Sequence, residues 1–426
     1  MRIQAGLSFE QAPPFSLPLR FFLTAPLFLF AAGMLVALIP EALASRWTPQ
    51  VLALTHLITL GFLGMTMLGA LTQMLPVVAG VPLHTPRLVA WLTHVPFALG
   101  SAALVLGFLG TGPATFTTAL VLLGGGLAVF VAAAAASLAR AGRTDTVNGM
   151  RLALLGLVLT ACLGVALALP RAGWIDLPPA WSRVDTHAAF GLLGWILLLV
   201  MGIAYQVVPM FQLTPPYPPR ISRWLAFMLA LLLALHAAAP ILPAPAAFLV
   251  KAGLAAVVLS FAVATLQLQA RRRRKVADVT LDFWRLGMAN LIACVAVWLV
   301  AQLWPAWAAN RAYPLLVGTL FLGGFAVSVV CGMLYKIVPF LAWFHLQAQL
   351  QARAGSIPTM KDMIAPQRQR LQWRLHLATC ALFVVAVFWP IVAPAAGGVL
   401  ALSTVILWLN LLGAVRRFRT HGGRAA

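Results

Sequence analysis

The chain has 426 residues, 62% of them hydrophobic and 9% charged, with 29 Lys and Arg against 8 Asp and Glu for a formal net charge of +21. A soluble domain is roughly 45–50% apolar and about 25% charged, so this composition excludes a soluble enzyme and fits a chain built for lipid. The basic excess does not imply a nucleic-acid partner, because the arginines fall in short clusters between long uncharged runs, as membrane topology signals do.

A membrane helix needs about 20 mostly apolar residues. In chain order the sequence predicts spans at 17–40, 50–77, 88–110, 114–138, 150–170, 185–211, 222–242, 246–268, 283–304, 313–343, 371–392 and 396–415. Turns bearing Gly and Pro, such as 110–113 and 240–243, separate them. The fold expected is an all-α polytopic membrane protein of twelve transmembrane helices in one membrane domain, 1–426, with the lipid bilayer as its surroundings. The polar stretch 1–11 precedes a segment long enough to span and lacks a clear cleavage site, so a cleaved signal peptide is not expected. Cys162, Cys294, Cys331 and Cys380 stand singly in apolar stretches, which argues against a disulfide framework or a zinc motif.

Arg46, Arg171, Arg183, Lys251 and Arg311 fall on one side of these spans and Lys336 falls inside one. The other 23 Lys and Arg lie in the two tails or beside the loops after the even-numbered spans, including the runs 271–275 and 353–374. The positive-inside rule then places both termini in the cytoplasm, and in a bacterial cell the location is the inner membrane. Trp174, Trp181, Trp304 and Trp307 fall at the opposite ends of spans, where an interfacial aromatic belt is expected.

The sequence also repeats itself. Gly61, Gly69, Gln73 and Pro76 recur as Gly194, Gly202, Gln206 and Pro209, 133 residues later, and as Gly324, Gly332, Lys336 and Pro339, 130 residues after that. Arg20, Arg151 and Arg285 open the preceding spans at similar offsets. The expectation is three parallel four-helix repeats, 17–140, 146–275 and 280–417, in a pseudo-threefold ring. Glycine for close helix packing explains the same pattern without any chemistry. Gln73, Gln206 and Lys336 share one repeat position; either the lysine snorkels to the surface, or the three form a polar ring able to bind an anion or a cofactor carboxylate.

An intramembrane histidine costs energy unless it is paired or ligated. Of the eight histidines, His421 lies in the tail, His84 in a loop and His345 at the basic end of span 10, where solvation is expected. His94 and His376 each follow a tryptophan, Trp91 and Trp373, by three residues, a spacing read as interfacial anchoring. His56, His187 and His236 remain as ligand candidates, against interhelical hydrogen bonding as the alternative. At about 1.5 Å rise per residue, His56 and His236 lie about 12 Å inside the arginine-poor ends of their spans. His187 is shallower and is displaced two residues from the His56 repeat position, so it is expected to point elsewhere. Glu10, Glu41, Asp145, Asp176, Asp185, Asp278, Asp282 and Asp362 all fall in loops or at span ends, which argues against an intramembrane proton path.

Twelve spans in three four-helix units, the Arg-Phe-Phe stretch 19–23 and the histidine-led stretch Thr55–Gly69 resemble subunit I of the heme-copper oxidase superfamily, most closely its NnrS-like branch. The resemblance implies a b-type heme ligated by His56 and copper ligands from spans 6 and 7, for which His187 and His236 are the candidates. It also implies an electron donor or respiratory complex as partner and a role in nitric oxide or respiratory metal chemistry. Gly191 and Gly194, on the face of His187, supply either the flat surface a porphyrin edge needs or a helix contact. Span 7 carries one histidine where the superfamily has an adjacent pair, and span 10 carries none of its two, so a complete oxygen-reducing site is not expected. The rivals are a heme-free transporter or metal-handling permease, and a structural assembly partner of a respiratory complex.

Overall fold

The computed structural model describes residues 9–176, 181–273, 276–350 and 357–424. Arg274, Lys275 and Arg353 of the two basic runs lie outside the described residues, as does the side chain of Trp181. The described residues form helices and no strand. Twelve helices are long and apolar enough to cross a membrane: α1 (Ser16–Leu38), α2 (Pro49–Val77), α3 (Pro86–Thr111), α4 (Pro113–Arg140), α5 (Asp145–Ala168), α6 (Arg183–Gln212), α7 (Pro219–Ala237), α8 (Ala244–Ala270), α9 (Val279–Leu303), α10 (Ala312–Leu350), α11 (Pro366–Phe388) and α12 (Pro390–Thr420). Every predicted span is present; the largest departure at a single boundary is in α10, which continues to Leu350.

The helix starts follow local chemistry. The side chains of Thr48, Thr144 and Asp278 accept the backbone N–H of Val51 at 3.3 Å, Val147 at 3.2 Å and Thr280 at 2.9 Å, respectively, satisfying donors that a helix leaves open. Proline opens α3, α4, α7 and α11, where its missing N–H costs nothing. Between α3 and α4 the chain reverses through Gly110 and Gly112 at φ of 96° and 99°, a backbone region that L side chains avoid.

Each helix packs against the next, and α12 packs back against α1, where the Trp408 indole donates to the Leu23 carbonyl at 3.0 Å. Three helices are interior: 72% of the apolar window of α2, 61% of α6 and 78% of α10 is buried, against 22–50% for the other nine. Those nine present Leu, Phe, Val and Trp outward, as a lipid-facing surface requires. Interior position follows from the repeated glycines. Gly61 and Gly69 seat α2 on Phe28 and Phe21 of α1, Gly194 and Gly202 seat α6 on Gly156 and Gly149 of α5, and Gly324 and Gly332 seat α10 on Asn290 and Phe283 of α9. The packing explanation therefore accounts for these glycines, Gly194 included. Each interior helix also widens into a π-helical stretch around the first glycine of its pattern, at Leu57–Gly64, Phe190–Leu197 and Thr319–Val327. Such stretches redirect the side chains beside them and recur at functional sites.

Several polar residues sit otherwise than the sequence suggested. Lys336 forms an ion pair with Asp278 at 2.7 Å, so its charge is met by a carboxylate of the protein, and the alternative of an anion-binding ring is left without it. Arg370 pairs with Asp282 at 2.6 Å in the same region. His345 is not solvated but half-buried, stacked on Phe15 with ring centres 5.7 Å apart. His94 meets Thr24 at 2.9 Å beside the Arg20–Trp91 cation–π contact. His376 is no surface anchor: it is buried, and its Nε2 lies 2.7 Å from the Ser328 hydroxyl. Proximity to a tryptophan misled there because α11 turns this histidine toward α10. His84 and His421 are exposed, as expected.

Candidate functional site

A cavity of about 820 Å³ opens among the interior helices and is lined by His56, His187 and His236 together. The three histidines singled out in the sequence thus share one space. Its walls are mostly apolar, with Leu and Val from several helices and Phe108, Trp195 and Trp298 among the aromatic residues. A volume of that size is in the range of small-molecule and cofactor sites, about 300–1,000 Å³.

His56 ends the first, α-helical part of α2, just before its π-helical stretch. Its Nδ1 bonds to the Leu52 carbonyl at 2.7 Å, one turn back, and its ring lies along Phe108 of α3 with centres 5.1 Å apart. His187 occupies the corresponding place in α6, three residues before the π-helical stretch. Its Nδ1 bonds to the Thr160 carbonyl of α5 at 3.0 Å. Gly164, one turn beyond Thr160, makes room for this ring: a Cβ there would stand 3.1 Å from the His187 Cε1. A carbonyl partner fixes the proton of a neutral imidazole on Nδ1, which leaves Nε2 as the nitrogen with a free lone pair. Metal-ligating histidines are commonly oriented in this way.

The two rings approach with centres 6.4 Å apart and planes inclined by 21°. This corrects the expectation that His187 points away from His56. Helices running the same way present opposite flanks to each other across a shared space, so residues that meet need not hold matching repeat positions. Two metal–nitrogen bonds of about 2.0–2.1 Å, plus roughly an ångström from each nitrogen to its ring centre, put two imidazoles on opposite sides of one metal about 6 Å apart. The ring-centre separation of the pair is of that size.

His236, in the last turn of α7, lines the same cavity, and its Nδ1 is buried without a hydrogen-bond partner. Among the described residues no three of His, Cys, Asp and Glu gather closely enough to hold a metal ion, so His236 does not complete a three-donor set with the pair. Of the two glycines proposed beside His187, Gly191 lines the cavity and packs on Thr160, whereas Gly194 lies against the Gly156 backbone.

Sequence reasoning missed the charged part of the cavity. Arg46, Arg171 and Lys251, three of the five basic residues on the arginine-poor side, all line it, with Asp185 as the acid among them. Arg46 pairs with Asp185 at 2.5 Å and lies over the Trp47 ring. Arg171 donates to the Leu167 carbonyl at 2.8 Å and faces Phe108 at 5.7 Å. Lys251 donates to the Gln302 amide oxygen at 2.9 Å. Their position against the prevailing charge asymmetry was the available signal. His376 and Cys380 of α11 and Cys294 of α9 also line the cavity.

No known protein-family profile matches the chain, and no curated protein matches it.

Proposed function

We propose that this chain is a heme-binding membrane protein, with His56 and His187 as the ligands of a b-type heme in the cavity between α2 and α6. The observation that carries this reading is the His56–His187 pair, 6.4 Å apart with each Nδ1 held by a carbonyl. A heme bound there would supply a redox-active or ligand-binding iron, tuned by its axial groups and surroundings. The residues of the chain orient the two imidazoles through their carbonyl partners and line the space around them with an aliphatic wall. With Arg46 paired to Asp185, Arg171 and Lys251 add positive charge to the cavity lining. A copper centre of three histidines has no such support, because the described donors do not converge in threes.

The neighbour pattern supports a pseudo-threefold ring of four-helix repeats: α4 meets α5, α8 meets α9 and α12 meets α1, while α2, α6 and α10 lie inside. Within that reading the protein lies in a bacterial inner membrane with both termini cytoplasmic and the cavity mouth toward the periplasm. Its role is in nitric oxide or respiratory metal chemistry, with an electron donor or respiratory complex as partner and without a complete oxygen-reducing or proton-pumping site. The test is an absorption spectrum of the purified protein with a pyridine hemochrome assay. A Soret band with stoichiometric heme, lost or shifted in His56→Ala and His187→Ala, supports the reading. Protein that is folded and heme-free when made with ample heme contradicts it and favours a heme-free transporter.

A further inference from the structure

Lys251 is an unusual residue for its place. It stands seven residues into α8, about 10 Å from the helix start at a rise of about 1.5 Å per residue, on a helix otherwise built of Ala, Leu, Val and other uncharged residues. An ammonium at such depth is retained where it meets a counter-charge or faces a polar cavity. Its hydrogen-bond partner is the neutral amide of Gln302 in the last turn of α9. The acid nearest to hand in the cavity wall, Asp185, is already paired with Arg46. Arg46 and Asp185 cancel, so Lys251 and Arg171 leave the lining with two positive charges in excess.

The surroundings of Lys251 are arranged as a receptor. Gln302 takes one of the three ammonium protons, leaving two to donate. His236 on α7 stands within electrostatic reach of both Lys251 and Asp185, with a buried Nδ1 that has no partner. Tyr313, in the first turn of α10, lines the same part of the wall and lies within electrostatic reach of Arg46 and Asp185. All of these groups lie at the arginine-poor end of their helices. The rest of the cavity lining is mostly apolar.

We propose that Lys251, fixed by Gln302 and flanked by His236, Tyr313 and the Arg46–Asp185 pair, is an anion site that takes a carboxylate. A single free ammonium matches one monoanionic group, and the apolar space beneath accepts whatever that group is attached to. The carboxylate can come from a small free anion or from the acid group of a larger apolar ligand. Neither source requires a metal, so the site stands independently of the heme reading.

The test is a titration of the purified, metal-free protein, followed by the fluorescence of the cavity tryptophans Trp47, Trp195 and Trp298. Sodium acetate represents the free anion, sodium benzoate the acid on an apolar body, and methyl benzoate the same body without charge. Saturable binding of acetate and benzoate alike assigns the site to small free anions; binding of benzoate alone assigns it to the acid group of a larger ligand. In either case Lys251→Met weakens binding at least about tenfold, as loss of a charge-assisted hydrogen bond requires, while Lys251→Arg retains it. Gln302→Glu, which sets a carboxylate against the ammonium, weakens binding similarly and serves if Lys251→Met does not fold. Equal binding by wild type and both charge-neutralising variants, equal binding of benzoate and its methyl ester, or no saturable binding of either carboxylate overturns the proposal.

Discussion

The crossing of α5 and α6 at Gly156 and Gly194 can be tested with one methyl group. A Cβ on Gly156 would overlap the Gly194 carbonyl and stand 3.0 Å from the Gly194 Cα. These are backbone atoms, so no side chain can swing away and the helices must separate. Overpacking of this kind costs about 1–3 kcal/mol, against a gain of up to about 1 kcal/mol for replacing a helical glycine by alanine. Gly125 of α4 is the control, because a Cβ there meets nothing within 4 Å and it does not line the cavity; Gly125→Ala should be neutral or stabilising by up to about 1 kcal/mol. The crossing also positions the ligand pair. Thr160, whose hydroxyl donates to the Gly156 carbonyl at 2.7 Å, holds His187 through its own carbonyl. Gly156→Ala should therefore lower the unfolding midpoint in detergent and shift the spectrum of any pigment held by His187, while Gly125→Ala does neither. Equal midpoints and spectra for the two variants would refute the backbone crossing.

Other outcomes follow from the same packing. Lys336→Met leaves Asp278 as an unpaired, half-buried carboxylate and should destabilise the protein by about 1–3 kcal/mol. Adding Asp278→Asn should recover part of that loss, and strict additivity in the double-mutant cycle would show that the pair is uncoupled. Gly164→Val should crowd His187 and diminish heme binding with little effect on helix content by circular dichroism; unchanged heme content would contradict the placement of the ring. Reporter fusions after Trp174 and at Gly423 should report opposite sides of the membrane, the former periplasmic and the latter cytoplasmic; the reverse pattern would invert the assigned orientation.

Much of this architecture is legible in the sequence because lipid imposes a simple rule: a span must be long, apolar and helical. The twelve spans follow from that rule, and the helices that share the glycine pattern are the interior ones. The candidate histidines were legible for the same reason, since an imidazole at depth needs a purpose. Which flank of one helix meets which flank of another was not legible. His187 therefore looked misplaced beside His56, although the two rings meet across the cavity. His376 was read from its neighbour Trp373 rather than from the direction α11 gives it. The π-helical stretches have no signature beyond the glycines they contain. Arg46, Arg171 and Lys251 were read as exceptions to a topology count, when their common feature is the cavity they line.

The most direct measurement of whether His56 and His187 act together is the low-temperature electron paramagnetic resonance spectrum of the oxidised, heme-loaded protein. Two strong imidazole ligands on one ferric heme give a low-spin signal, which should disappear from both His56→Ala and His187→Ala and survive in His94→Ala, whose ring is held by Thr24 away from the cavity. A purely high-spin wild type, or an unchanged low-spin signal in either cavity variant, would contradict the assignment of this pair.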